Sequence, residues 1–276
     1  MNTRAGGFHV HGTSGLVGQR AVDLRTRDTH QLAEISRQAP RVPWDIFLRD
    51  YFTWEQGEHL ALIAPTGQGK TTALMNLLPQ QPYIVVFATK PKDTSMDRLI
   101  SEGYLKMSKW ENIPASRAPH RVLWPSALDL DSDATQRAVF HDAFERIYRE
   151  GGWCVAIDEG YIISKELRLD KDVKKYLTQG RSLGISLAFA TQRPVDVPVL
   201  VYDQSTHVFF GRDNDEVNLK RISGISWRSA NLIRNIVANL DQYQMLYVNT
   251  RTGEMVRTRT PSPRLSQTEY REEVSA

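Results

Sequence analysis

The stretch Ala64-Pro65-Thr66-Gly67-Gln68-Gly69-Lys70-Thr71-Thr72 decides how this chain is read. It follows Glu58-His59-Leu60-Ala61-Leu62-Ile63-Ala64, a short apolar run of strand character, and precedes a helical pattern reaching about Leu78. Gly67 and Gly69 let the backbone curl so that successive N–H groups face one point, and the start of a helix there adds its positive dipole end. Such a loop cradles phosphate. Lys70 is placed to reach the β- and γ-phosphates of ATP, and the Thr71 hydroxyl to sit on Mg²⁺, with Thr66, Gly67, Gln68, Gly69 and Thr72 completing the cradle. The common form of this loop carries glycine where this chain has Ala64.

A phosphate loop needs a carboxylate strand beside it. Trp153-Cys154-Val155-Ala156-Ile157-Asp158-Glu159 supplies one: a buried run, then two acids where ligands bind in open α/β sheets. Asp158 is expected in the Mg²⁺ shell, and Glu159 as the general base that orients and activates water. Cys154, the single cysteine, lies within this strand and is read as core packing.

Outward from these two motifs the chain alternates. Strands are expected at 83–88, 121–124, 185–190, 207–210 and 242–248. Helices are expected at 135–150, where apolar residues recur at helical spacing up to Gly151-Gly152, and at 165–178. Apolar strands separated by helices mean an α/β fold with a mainly parallel sheet flanked by helices. The expected organisation is an N-terminal arm or strap at 1–43 with a short helix at 28–38, an ATPase domain at 44–259, and a flexible polar tail at 260–276.

The segment from Gln179 to Pro194 contains Gly180-Arg181-Ser182-Leu183-Gly184-Ile185 and, at its end, Ala190-Thr191-Gln192-Arg193-Pro194. It resembles the corresponding run of FtsK/HerA DNA translocases, whose core is RecA-like. Val86 to Asp93 and His207 to Asp215 resemble two further segments of the same class. Thr89-Lys90 replaces the usual acid in the first of them, so no acid role is carried over. The resemblance spans roughly 57–248. It implies that Gln192 senses the γ-phosphate and that a neighbouring subunit donates an arginine finger. Arg181 is the first candidate for that finger and Arg193 and Arg212 its rivals, while a surface arginine without catalytic duty remains an equal alternative for each. It also implies an ATPase stimulated by DNA, in which a homo-oligomeric ring (hexamer or pentamer) pumps DNA by hydrolysing ATP at subunit interfaces.

Full-length FtsK has a large membrane-anchored N-terminal region and a small C-terminal DNA-reading domain. The expected relative is therefore a viral genome-packaging ATPase or a minimal translocase of a mobile element, docking on a capsid portal or vertex or on a membrane partner. A cytosolic ATPase of conjugation or filamentous-phage export is the alternative, as is a nucleotide-switched scaffold with little turnover.

Bulk composition constrains these readings loosely. The 276 residues carry a net charge of +3, which argues neither for nor against nucleic acid. Basic residues concentrate at 164–193 (seven against three acids) and 90–121 (seven against four), read either as solvated faces or as phosphate-tracking loops. Lys90, Lys92, Lys106, Lys109, Lys171, Lys174 and Lys175 are the candidates for sequence-independent contacts to the DNA backbone. No apolar run approaches a membrane span and no signal-peptide core opens the chain, so a cytoplasmic location without membrane insertion is expected. Phe52 and Trp54 are read as core, with a wall for adenine as the rival duty.

Overall fold

The computed structural model describes residues 35–126, 128–129, 132–223 and 230–261. The chain divides into two units, Met1–Gln38 and Ala39–Ala276. Of the first, residues 35–38 are helical, the described end of the helix expected at 28–38. Residues 1–34 of the expected arm, and the tail beyond Pro261, lie outside the described residues.

The second unit is built on one nine-stranded sheet. In chain order its strands are β1 (His59–Ile63), β2 (Ile84–Phe87), β3 (Leu105–Met107), β4 (His120–Leu123), β5 (Cys154–Ile157), β6 (Ser186–Thr191), β7 (Ser205–Gly211), β8 (Gln244–Asn249) and β9 (Met255–Arg259). Their order across the sheet is β3-β4-β2-β5-β6-β1-β7-β8-β9. All neighbours from β3 to β7 pair in parallel, and β7-β8-β9 pair antiparallel. The helices are α1 (Trp44–Asp50), α2 (Lys70–Leu77), α3 (Thr94–Ser101), α4 (Asp133–Glu150), α5 (Asp170–Gln179), α6 (Leu200–Asp203), α7 (Glu216–Ser223) and α8 (Ala230–Ala238).

The central strands are buried along their whole length, so they read as continuous apolar runs rather than as alternation. Alternate residues nevertheless serve different faces. Leu60, Leu62, Val86, Ala156, Ala188 and Phe209 join a core with Phe47 of α1, Leu74 of α2 and Met96 of α3. From the opposite face Phe87 stacks on Phe140 of α4 at 4.8 Å between centroids, and Phe144 in turn meets Tyr176 of α5 edge-on at 4.8 Å. Phe52 and Trp54 are both core residues. Phe52 packs on Phe47, His207 and Tyr247, and the Trp54 indole donates to the Glu58 carbonyl at 2.9 Å.

The expected elements are present with shifted ends, and one is interrupted. The helix expected over 165–178 is a π-turn at Ile162–Glu166 followed by α5. Between them Arg168 adopts a left-handed φ of 54°, and the Leu167 and Leu169 N–H groups return to the Ile162 and Ile163 carbonyls. Ile163, Leu167 and Leu169 are all buried across that kink, whereas an uninterrupted helix would turn Leu169 to the side away from Ile163 and Leu167. Strands β3 and β9 escaped the periodicity reading. The first has three residues with two exposed, and the second has only two apolar residues, Met255 and Val256, followed by Arg257, Thr258 and Arg259. Arg257 has a packing duty, its Nε donating to the Ala39 carbonyl at 2.7 Å.

Candidate nucleotide site

Parallel pairing sends the C-terminal ends of β1, β2, β5 and β6 to one edge of the sheet, and each delivers a chemical group there. After β1 the chain enters the glycine loop. Gly69 has φ 80° and caps α2 from the left-handed region, a conformation that any side chain would strain. Lys70 follows as the first residue of α2, only 7% exposed, with its ammonium 3.8 Å from Asp158 Oδ1. The Thr71 hydroxyl donates to Asp158 Oδ2 at 2.8 Å. From the tip of β6, Gln192 accepts the Thr66 hydroxyl at 2.6 Å and donates from Nε2 to both Glu159 oxygens at 3.3 Å. A cavity of 340 Å³ opens among Thr66, Gly67, Lys70, Lys90, Glu159 and Tyr243. Thr66, Lys70, Thr71, Asp158, Glu159 and Gln192, expected to act together, thus lie within one connected constellation.

Burial raises the Asp158 pKa, and that effect outweighs the opposing pull of Lys70 and of the Thr71 hydroxyl. Oδ1 of this carboxylate is buried and has no hydrogen-bond partner among the described residues. An under-compensated carboxylate oxygen beside a hydroxyl is a fitting place for a divalent cation. Among the described residues no cluster of three or more His, Cys, Asp or Glu could hold a metal. One carboxylate and one hydroxyl, with the rest of the shell from water and phosphate, suit Mg²⁺.

Ala64, the departure from the usual loop, has a structural counterpart. Register pairs Ile63 with Phe210, which brings Ala64 against Gly211 at the end of β7. A Cβ on Gly211 would lie 2.5 Å from the Ala64 Cβ and 3.4 Å from the Gln68 Cβ. The methyl group gained at 64 occupies the room left by glycine at 211. Gly211→Ala is therefore expected to cost about 1–3 kcal/mol through overpacking, and adding Ala64→Gly to recover most of it. Urea unfolding of the two single variants and the double variant checks this, and a double variant no better than Gly211→Ala would sink it.

Two residues of the site were not read as such from sequence. Lys90, grouped there with the DNA-contact candidates, points its ammonium at Glu159 Oε1 at 2.8 Å. Burial by itself would lower the Lys90 pKa, yet the Glu159 hydrogen bond and the charges of Glu159, Asp158 and Asp93 together hold it above its ordinary value. Tyr243, which no motif marks, is half-exposed at the cavity edge with a left-handed φ of 63°, its ring close to Gly69. A non-glycine residue held in that region is where functional strain is found. Among the other lysines, Lys106 lies over Trp124, Lys175 over Tyr148, and Lys174 pairs with Asp170.

The three finger candidates separate. Arg193 and Arg212 are exposed near the site edge, following β6 and β7, and Arg193 is 3.5 Å from Asp196. Arg181 is exposed on a 3₁₀ turn, Gly180–Leu183, leading into the opposite end of β6. The length of β6 puts it about 17 Å along the strand from Gln192. Arg181 therefore stands away from its own chain's site.

Fold and site together define an α/β protein with the architecture and phosphate loop of a P-loop nucleotide-binding fold. No family model matches the chain, and no curated protein matches it. Solved structures do match. The genome-packaging NTPase B204 of Sulfolobus turreted icosahedral virus 2, in complex with sulfate, aligns with 76% of this chain and 99% of its own, at TM-score 0.57 and 15% identity. VirB4 of Thermoanaerobacter pseudethanolicus aligns with 76% of this chain and 90% of its own, at TM-score 0.58 and 12% identity. EssC (ATPases 2 and 3) of Geobacillus thermodenitrificans aligns with 81% of this chain and 43% of its own, at TM-score 0.52 and 14% identity. At these identities the likeness is one of fold, the fold that the motif resemblance implies. Among the described residues no helix is long and apolar enough to cross a membrane.

Proposed function

We propose that this chain is a Mg²⁺-dependent ATPase that works in a homo-oligomeric ring to drive DNA, in viral genome packaging or in transfer of a mobile element. The observation that carries the reading is the convergence of Lys70, Thr71, Asp158, Glu159 and Gln192 at the ends of three adjacent parallel strands. The loop N–H groups and Lys70 hold the phosphates, and Thr71 with Asp158 holds Mg²⁺, which supplies charge neutralisation at the phosphate oxygens. Glu159 takes a proton from water as the water oxygen bonds to the γ-phosphorus and the bond to the β,γ-bridging oxygen breaks. Gln192, bridging Thr66 and Glu159, ties the state of the loop to the position of the base. Solved relatives in fold include B204 in complex with AMPPCP and with ATP-gammaS, which supports a nucleotide in this cavity. Arg181 remains the first candidate to reach a neighbour's phosphate, with Arg193 and Arg212 its rivals.

The test is ATP turnover by the purified chain with and without linear double-stranded DNA, at low and moderate salt. DNA is expected to raise the rate severalfold, and added salt to weaken the stimulation because phosphate contacts carry the binding. Turnover that no nucleic acid alters would remove DNA as the substrate and favour an export ATPase. Nucleotide binding without turnover, with or without DNA, would favour the switched scaffold.

A further inference from the structure

Glu159 is expected to take a proton from water, yet its Oε1 is occupied by a lysine ammonium at 2.8 Å. Protonating that oxygen would set a second proton-bearing group directly against Lys90. The geometry allows Lys90 to leave. Its backbone is held, because the Trp124 indole donates to the Lys90 carbonyl at 2.8 Å. Its side chain is 43% exposed and lines the same cavity as Lys70 and the loop glycines. A second acid, Asp93, lies 4.0 Å away, and its other oxygen caps α3 by accepting the Ser95 N–H at 2.9 Å. The ammonium thus stands on a fixed base with a flexible stem, between two carboxylates and an open phosphate cavity. A lysine in that position is a mobile point charge.

We propose that Lys90 is a second lysine of the phosphate site, held by Glu159 until a nucleoside triphosphate arrives and then transferred to the terminal phosphate. This rests on the ATPase reading. The γ-phosphate carries more negative charge than the carboxylate and reaches the cavity that Lys90 already lines, so it competes for the ammonium on favourable terms. When Lys90 moves, Glu159 regains the oxygen it needs to accept a proton from water. A diphosphate has no group at that position, so it leaves the Lys90–Glu159 pair in place. The exchange couples availability of the base to the presence of the phosphate it is to act upon.

The experiment compares wild type, Lys90→Met and Lys90→Arg by calorimetric titration with the non-hydrolysable triphosphate AMPPCP and with ADP, both with Mg²⁺. In Lys90→Met the affinity for AMPPCP is expected to fall about two- to fivefold, the worth of one half-exposed ion pair, with ADP affinity unchanged. Unchanged ADP binding also reports that the variant is folded. Lys90→Arg keeps a cation on a long stem and is expected to retain the triphosphate preference. Equal weakening toward both nucleotides, unaltered AMPPCP binding in Lys90→Met, or loss of preference in Lys90→Arg would overturn the proposal. A wild-type chain that binds neither nucleotide would overturn the ATPase reading itself. A wild type that binds both, with a Met variant that keeps its preference, overturns only the role of Lys90.

Discussion

Glu159→Gln is expected to lower ATP turnover about 10²- to 10⁴-fold, the range a positioned general base contributes, and to leave ATP binding within about twofold. The amide has the size of the carboxylate and keeps an oxygen to face Gln192 and Lys90, so the side-chain network that joins Thr66 to residue 159 has a means of persisting. It has no lone pair basic enough to take a proton from water. The phosphate-holding groups, Lys70 and the loop N–H donors, are untouched, as is the Thr71–Asp158 pair. Steady-state hydrolysis together with titration of ATP separates the two effects. Turnover within tenfold of wild type would show that another group activates the water. Loss of binding along with turnover would make Glu159 a structural acid.

The second large effect lies far from the chemistry. Arg121 of β4 is wholly buried, its guanidinium 4.7 Å from the Trp110 ring centroid and 4.4 Å from that of Trp153. Nε donates to the Ala118 carbonyl at 3.0 Å and another nitrogen to the Ile113 carbonyl. The two indoles in turn donate to the two oxygens of Glu150, at 3.2 and 2.9 Å. Burial lowers the Arg121 pKa, and Glu150 and Glu111 oppose that effect. One cation is therefore sandwiched between two aromatic faces and ties the 113–118 loop to the sheet. Arg121→Ala removes the cation, leaves two carbonyls without donors and opens a cavity between the tryptophans. A loss of about 3–5 kcal/mol in unfolding free energy is expected. It would be read as a lower urea midpoint at constant slope. Four strand spacings, about 19 Å, separate β4 from β1, so the folded variant should still bind ATP. A loss under about 1 kcal/mol would mean that the slot collapses without the arginine.

What could be read from the chain in advance was whatever depends on neighbours in sequence. The glycine loop, the buried strand ending in Asp158-Glu159 and the strand ending in Thr191-Gln192 are each continuous segments. Their apolar runs and the glycines or polar residues that end them are local properties, and a parallel sheet sends all their ends to one edge. The break before α5 and the strands β3 and β9 were hidden for the complementary reason. Arg168 at a left-handed φ and arginines within β9 are tolerated because of what packs around them, not because of their own preferences.

Several features were decided only when the sheet took its order. Lys90 meets Glu159 because β2 lies beside β5, and Ala64 is accommodated because β7 lies beside β1 and ends in Gly211. Tyr243 reaches the loop from the start of β8, and Arg121 finds its two tryptophans from a loop and the edge of β5. Arg181, next in sequence to the strand that carries Gln192, is carried to the other end of that strand, because an extended chain puts distance between residues that a motif writes side by side. Local hydrogen bonding and hydrophobic period are written along the chain. The order in which strands pair is set by the packing of all the faces at once, and with it every contact between distant residues.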